Sequence, residues 1–324
     1  MERRDFKKIS VVIPVYNEEE NVPLLYEKLK EVLESLPYDY EIIFVDDGSK
    51  DRTPEILEEI AAKDPKVKVI EFARNFGQTA AMAAGMDYAT GDVIITMDGD
   101  LQNDPKDIPR LLEKMKEGYD VVSGWRKNRK DAAVSRKLPS KIANWLIGRL
   151  TGVKIHDYGC TLKAYRSSVI KRVRLYGELH RFIPALAATV TSVDRIVEIP
   201  VEHHPRRFGK SKYGISRTFK VISDLFFIWF MQKFMQKPIH FFGLLGLILF
   251  LIGFIPFLYL VFLKLTGHSI GGRPLLIISV LFILSGIQMF TTGIVSEMLM
   301  RIYYESQNKV PYVVRRVINC EEER

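Results

Sequence analysis

The segment Met97-Asp98-Gly99-Asp100-Leu101-Gln102 holds two carboxylates two residues apart, directly after a short β-branched run. At the end of a strand such a pair can share one hard cation, because Mg²⁺ and Mn²⁺ prefer oxygen ligands and keep phosphate oxygens in their shell. The cation would neutralise a departing diphosphate. Taken alone, the pair reads as readily as a solvated turn. Three further groups tip the balance: Ile13-Pro14-Val15-Tyr16-Asn17-Glu18, Val45-Asp46-Asp47-Gly48-Ser49 and Ala73-Arg74-Asn75-Phe76-Gly77-Gln78. Each follows an apolar run. Tyr16 offers a ring to stack on a base, and an aspartate of the Asp46–Asp47 pair can accept from a base N–H.

The elements that must position these groups alternate in type. Strand patterns run over Ile9–Val15, Glu41–Val45, Val67–Phe72, Asp92–Met97 and Tyr119–Ser123. Helical patterns run over Val22–Leu36, Pro54–Ala62, Gln78–Ala89 and Pro105–Glu117. Such alternation predicts an α/β fold, a mostly parallel sheet with helices on both faces. Ligands bind beyond the carboxyl ends of strands in these sheets, so the four polar groups are expected to line one crevice.

The 324 residues are 47% hydrophobic and 27% charged, but the average hides two unlike parts. Residues 1–237 read as an ordinary charged globular protein, whereas residues 238–300 are almost wholly apolar. Phe241–Leu263 and Pro274–Ser296 are uncharged runs of 23 residues each. As helices each reaches about 35 Å, enough to cross a hydrocarbon core of roughly 30 Å. The alternative, two buried core helices, is disfavoured because soluble helices rarely lack charge for so long. The loop between the runs carries Lys264 and Arg273. The outer flanks carry Lys220, Lys233, Lys237, Arg301, Lys309, Arg315 and Arg316, which predicts that both ends and the catalytic part lie in the cytosol. Met1–Lys8 is charged and leads straight into a strand pattern, unlike a secretory signal. Two cysteines, Cys160 and Cys320, give neither metal spacing nor a disulfide framework.

Other segments carry weaker signals. Ile215–Gln236 is aromatic and weakly basic, as expected of a helix lying in the membrane interface. Glu297 and Arg301, four apart, can pair along a helix. Val310–Ile318 is strand-like and basic. It is expected to dock as an edge strand on a catalytic domain, with a neighbour's domain in a homo-oligomer as one option. The expected organisation is a catalytic domain over 1–213, an interfacial region over 214–237, two transmembrane helices over 238–300 and a cytosolic tail over 301–324.

Ile13-Pro14-Val15-Tyr16-Asn17-Glu18, Val45-Asp46-Asp47-Gly48-Ser49 and Asp98-Gly99-Asp100-Leu101-Gln102, in this order and spacing, resemble the inverting family-two glycosyltransferases of the GT-A fold. Asp157-Tyr158-Gly159-Cys160-Thr161-Leu162-Lys163-Ala164-Tyr165-Arg166 and Arg206-Arg207-Phe208-Gly209-Lys210-Ser211-Lys212-Tyr213 narrow the resemblance. They are similar to the polyprenyl-phosphate glycosyltransferases, the group of dolichol-phosphate mannose synthase and undecaprenyl-phosphate aminoarabinose transferase. The resemblance covers nearly the whole chain. It implies transfer of a sugar from a UDP or GDP sugar to a polyprenyl phosphate at the membrane. It also implies that Pro14, Tyr16, Asn17, Glu18, Asp46 and Asp47 hold the nucleotide, and that Asp98, Asp100 and Gln102 hold Mg²⁺ or Mn²⁺. Gly99 stands where the family often has alanine. Thr161 and Lys163 stand where relatives vary, so the donor sugar is left open.

The acceptor side also reads from composition. Eight positive residues lie between Arg126 and Arg149, opposed only by Asp131, and Val134–Leu150 interleaves them with apolar residues. This is the pattern of a basic amphipathic helix at a membrane surface. The resemblance implies that Arg126, Arg136, Ser140 and Arg206 contact the lipid phosphate. Arg136 and Ser140, four apart, share a helix face. Asp157 matches the residue most often assigned as catalytic base in relatives; orienting the acceptor arginines is the rival role. A phosphate monoester is mostly dianionic at neutral pH, with a second pKa of about 6, and has little need of a base. His156, His203 and His204 show no spacing to a third ligand and are expected to be surface or phosphate-neighbouring residues.

Two other functions compete. A processive polysaccharide synthase would carry a Gln-x-x-Arg-Trp motif, and the chain has no Arg-Trp pair. A catalytically silent membrane scaffold would not need Asp98, Asp100 and Gln102. Nucleic-acid binding would explain the net charge of +8 but not two apolar spans.

Overall fold

The computed structural model describes residues 5–127, 148–149, 151–173, 175, 179–205, 238–270, 272–306 and 312–320. These residues form two compact units. One is a sheet with helices on both faces; the other is a pair of long helices.

The chain order of the first unit is β1 (Lys8–Val15), α1 (Val22–Glu34), β2 (Asp39–Asp46), α2 (Thr53–Lys63), β3 (Val67–Phe72), α3 (Gln78–Tyr88) and β4 (Val93–Thr96). It continues through α4 (Ile108–Lys116), β5 (Val121–Trp125), β6 (Lys163–Arg166), α5 (Ser167–Ile170), α6 (Ile183–Ala187) and β7 (Ile196–Pro200). Helix starts follow local chemistry: α1, α2 and α4 each carry a proline in the first two positions, where its missing N–H is not needed. In α1, Val22, Leu25, Tyr26, Leu29 and Leu33 repeat at helical spacing and are the residues it buries.

The strands order as β7-β5-β6-β4-β1-β2-β3-β8, with β8 (Val314–Ile318) at one edge. β1, β2, β3 and β4 pair in parallel, and so do β5 and β7. β6 runs antiparallel between β4 and β5. The chain moves outward from β1 through β2 and β3, then returns to place β4 on the other side of β1. That reversal is the switch point where α/β sheets open a ligand crevice.

Side chains alternate across the strands. Val11, Ile13, Ile42 and Phe44 meet α1, α2 and α4 on one face, whereas Val12, Ile43 and Val45 meet α3, α5 and α6 on the other. α3 lies unusually close to the sheet because it is rich in alanine. A Cβ on its Gly85 would come within 2.2 Å of Val12 Cγ1.

The basic tail forms an antiparallel edge strand on β3 of its own chain. Tyr312 stacks on Phe72 at 5.2 Å, and Arg316 bridges Glu71 and Glu58.

The second unit consists of α7 (Pro238–Leu265) and α8 (Pro274–Ser306). They pack through small residues: a Cβ on Gly253 would lie 2.5 Å from Ser279 O, and one on Gly286 would lie 2.7 Å from Gly246 O. Leu244, Ile255 and Ile277 are more than 60% exposed. Such broad apolar exposure marks a membrane protein and excludes the reading of buried core helices. Glu297 and Arg301 both fall on α8. The predicted interfacial stretch 215–236, and 134–147 of the predicted basic helix, lie outside the described residues.

Candidate active site

All four polar groups named from the sequence lie at one edge of the sheet, beyond the carboxyl ends of β1 to β4. Their loops hold one another. Asn17 adopts a left-handed conformation at φ 53°, which asparagine tolerates, and its carboxamide oxygen accepts from Lys50 N at 2.8 Å. Its own N–H donates to Ser49 Oγ at 2.9 Å. Glu18 accepts from Asn21 Nδ2 at 2.6 Å. Gly48, at φ 70°, passes so close to Arg74 that a Cβ would meet its carbonyl carbon at 2.6 Å.

The two neighbouring aspartates do different work. Asp47 accepts from Phe76 N at 2.7 Å and from Gly77 N at 3.0 Å, fixing the entry to α3. Asp46 accepts from Ser49 N and Oγ. Burial raises the Asp46 carboxyl to about 6 against the opposing pull of Ser49. Beside them opens a cavity of about 430 Å³, lined in part by Tyr16, Ser49, Glu71, Arg74, Asn75 and Arg315. Tyr16 was expected here. Glu71 and Arg315 were not: Arg315 arrives from β8, far along the chain, and donates to Glu71 at 3.2 Å.

β4 delivers the acidic pair. Asp98 accepts from Gln78 Nε2 at 2.6 Å and from Thr161 Oγ1 at 2.7 Å. Asp100 is buried and accepts from Gln102 N at 3.1 Å. Leu101, directly after the pair, is left-handed at φ 60°, a strained conformation for a leucine. Gly99 packs on the end of β1, where a Cβ would lie 2.7 Å from Val15 Cγ1, so alanine here would require Val15 to move. The Gln102 amide nitrogen reaches His204 O at 3.4 Å. Among the described residues, no group of three His, Cys, Asp or Glu side chains could hold a metal. Two hard carboxylates with one amide fit a cation whose remaining ligands are phosphate oxygens, and they do not fit a closed protein cage.

His203 forms a bridge with Asn103, His204 pairs with Asp104 at 3.0 Å, and His156 stacks on Trp125 at 4.4 Å while pairing with Glu198.

β5 and β6 supply the remaining wall. Arg126, the residue after β5, binds Asp157 through two side-chain bonds, Nε to Oδ2 at 2.7 Å and Nη2 to Oδ1 at 3.0 Å. Both side chains are close to nine-tenths buried. Although burial opposes its charge, the Asp157 carboxylate raises the Arg126 guanidinium above its ordinary value. Both carboxylate oxygens of Asp157 are thus engaged with one arginine. Arg136, Ser140 and Arg206 lie outside the described residues. Sequence reading overlooked Gln78 and its grip on Asp98, although Gln78 closes the Asn75-Phe76-Gly77-Gln78 group that was singled out.

Residues 10–174 match the family model described as glycosyl transferase family 2. The chain is 50% identical over 315 residues to a dodecaprenyl-phosphate galacturonate synthase of Rhizobium johnstonii, spanning 96% of this chain and 93% of that one. It is 41% identical to an undecaprenyl-phosphate 4-deoxy-4-formamido-L-arabinose transferase of Klebsiella pneumoniae, over 96% and 94% of the two chains. Among solved structures, glucosyl-3-phosphoglycerate synthase of Mycobacterium tuberculosis, in complex with Mn²⁺, UDP and phosphoglyceric acid, matches with a TM-score of 0.54 at 18% identity. That match covers 70% of this chain and 78% of the other, and it shows the shared GT-A fold. A crevice at the switch point, an acidic pair at the end of β4 and a near full-length match to sugar transferases agree: the chain is a glycosyltransferase and belongs to glycosyl transferase family 2.

Proposed function

We propose that this protein transfers a sugar, with inversion, from a nucleoside diphosphate sugar to a polyprenyl phosphate at the cytosolic face of a membrane. The observation that carries the reading is the order of groups along the sheet edge. A nucleotide-sized cavity beside β2 and β3 comes first, then the acidic loop after β4, then the Asp157-bound Arg126 after β5. That order matches the order of donor base, leaving diphosphate and acceptor phosphate. The named relatives transfer to dodecaprenyl and undecaprenyl phosphates.

In this mechanism Tyr16 stacks on the base and Asp46 accepts from its N–H, while Asp98, Asp100 and Gln102 are the residues that would hold Mg²⁺ or Mn²⁺. Such a cation supplies charge neutralisation to the leaving diphosphate. The solved neighbour carries Mn²⁺ with UDP, which favours a uridine donor over a guanosine one. Arg126, with Arg136, Ser140 and Arg206, aligns the acceptor phosphate behind the anomeric carbon. An acceptor oxygen forms the new C–O bond as the anomeric bond to the diphosphate breaks, and the bonding pair leaves on the diphosphate oxygen. The acceptor dianion carries its own nucleophilic pair, so Asp157 needs only to orient Arg126, and positioning supplies most of the catalysis. Residues 1–213, completed by the edge strand β8 from the tail, form the catalytic domain. α7 and α8 span the membrane as a hairpin, both termini lie in the cytosol, and 214–237 lies at the interface.

The relatives leave two donor classes: galacturonate carries a carboxylate, while the formamido-arabinose is uncharged. The test is to offer purified protein a panel of nucleotide-sugars with undecaprenyl phosphate. A new glycolipid from at least one donor is expected; release of free sugar alone would overturn the reading.

A further inference from the structure

One hydroxyl ties both ends of the acidic loop from Asp98 to Asn103. Thr161, two residues before β6, donates through Oγ1 to Asp98 Oδ2 at 2.7 Å. The same oxygen accepts from Asn103 Nδ2 at 3.0 Å. Thr161 is itself anchored, because its carbonyl accepts from Thr96 Oγ1, at the end of β4, at 2.7 Å. Asn103 is buried and bridges to His203, so the far end of the loop rests on packed structure. Between the two ends lie Asp100 and Gln102, joined at 3.1 Å. Gln78 holds the other oxygen of Asp98, donating from Nε2 to Oδ1 at 2.6 Å. It is the first residue of α3, and the N–H groups of Phe76 and Gly77 just before it both donate to Asp47. Gln78 therefore leaves a backbone that is already fixed.

Asp98 thus carries a donor on each oxygen, one from α3 and one from the chain entering β6, two elements far apart in sequence. Both donors are neutral. An amide and a hydroxyl orient a carboxylate without offsetting its negative charge, whereas the arginine that binds both oxygens of Asp157 brings a charge of its own. A carboxylate oxygen accepts more than one bond, so a donor on each does not exclude a cation. Hydrogen bonds of this kind set the direction of metal-ligating carboxylates. A loop already closed also has less freedom to lose when its ligand arrives.

We propose that Thr161 and Gln78 are positioning residues: they aim Asp98 and close the loop around Asp100 and Gln102, so that a divalent cation meets a preformed set of ligands. Asp98 as a ligand comes from the proposed function, on which this inference rests. Mn²⁺ is the probe. Its binding to full-length protein in detergent, with UDP present, is read by electron paramagnetic resonance, and transfer to undecaprenyl phosphate is followed as Mn²⁺ is varied. Thr161→Val keeps the shape and removes the hydroxyl; Gln78→Met keeps the length and removes the amide. Each should weaken Mn²⁺ binding by about 10- to 100-fold. The Mn²⁺ concentration for half-maximal transfer should rise to match, while kcat at saturating Mn²⁺ falls far less. Thr161→Ser, which restores the hydroxyl, should bind Mn²⁺ nearly as wild type does. If either Thr161→Val or Gln78→Met keeps wild-type affinity, the proposal fails for that residue. A loss of kcat that no Mn²⁺ concentration restores, with affinity intact, would overturn it for both. The melting temperature without metal checks the fold; should Thr161→Val unfold, Gln78→Met and Thr161→Ser decide. Asp98→Asn separates the clamp from the reading beneath it: if this variant binds Mn²⁺ as tightly as wild type, Asp98 is no ligand and the metal assignment falls together with the clamp. If the variants lose Mn²⁺ as expected but no donor gives a lipid product, the clamp stands and the acceptor reading falls.

Discussion

Replacing Asp157 with asparagine separates its two candidate roles. The substitution preserves volume, keeps one acceptor oxygen and removes the charge that binds Arg126 at 2.7 and 3.0 Å. The side chains are only 13% and 12% exposed, so solvent screens little of the loss. Breaking a buried pair from one side costs about 3–5 kcal/mol, and the lower end applies because one oxygen remains. The melting temperature should fall accordingly. Loosening one charge-assisted bond, about 1.5–3 kcal/mol, lowers acceptor kcat/KM by roughly 10- to 150-fold. A lost general base would cost about 10²–10⁴-fold, so the magnitudes overlap and a second measurement must decide. That measurement is the double variant with Arg126→Ala. If Asp157 acts only by orienting Arg126, Asp157→Asn adds no further loss in the Arg126→Ala background. If the two losses multiply, Asp157 has a task of its own and the orienting account is refuted. UDP binding, measured by calorimetry, should be unchanged in all three variants.

Three other outcomes follow from the structure. Glu41 is buried, which pushes its carboxyl up, but Lys68, Ser10 and Thr90 outweigh burial and bring it from 4.5 to about 2. Its contribution is therefore full above pH 4.5 and is lost as pH falls toward 2; Glu41→Gln should cost about 3 kcal/mol at pH 7 and nothing near pH 2, read by denaturant titration. In Gly253→Leu even the Cβ would lie only 2.5 Å from Ser279 O, so α7 and α8 must part; the detergent-purified protein should melt lower, whereas exposed Leu258→Ala should leave it unchanged. Asp100→Asn should abolish transfer with the fold intact by circular dichroism, and chelator should silence wild type until Mg²⁺ or Mn²⁺ is restored; full turnover in chelator would remove the metal from the account.

The alternation of strands and helices through β5 was legible because each element satisfies a local period, and the four polar groups were found because each follows a strand. Boundaries shifted where local chemistry intervened. The helix expected from Pro105 begins with a 3₁₀ turn over Pro105–Asp107, capped by the Asp104 carboxylate accepting from Lys106 N, and α4 proper starts at Ile108. Strand order was not legible. The insertion of antiparallel β6 between β4 and β5 is a choice among distant pairings, and no local pattern encodes it. That insertion carries Thr161 to Asp98 and buries Lys163, a residue whose sequence neighbours suggest nothing about burial. Arg315 was hidden for the same reason: only the return of the tail to β3 brings it to the cavity beside Tyr16. The tail's strand character was plain in Val313, Val314, Val317 and Ile318, but its partner was not.

The most direct test of the central claim is a transfer assay that reads both the product and its stereochemistry. Purified protein, a labelled nucleoside diphosphate sugar and undecaprenyl phosphate are incubated with Mg²⁺ or Mn²⁺, and the lipid fraction is examined by mass spectrometry and NMR. The account predicts a glycolipid carrying one sugar, with anomeric configuration opposite to that of the donor, formed only when both substrates are present. Retained configuration, a growing polymer, or sugar released to water without any lipid product would contradict it.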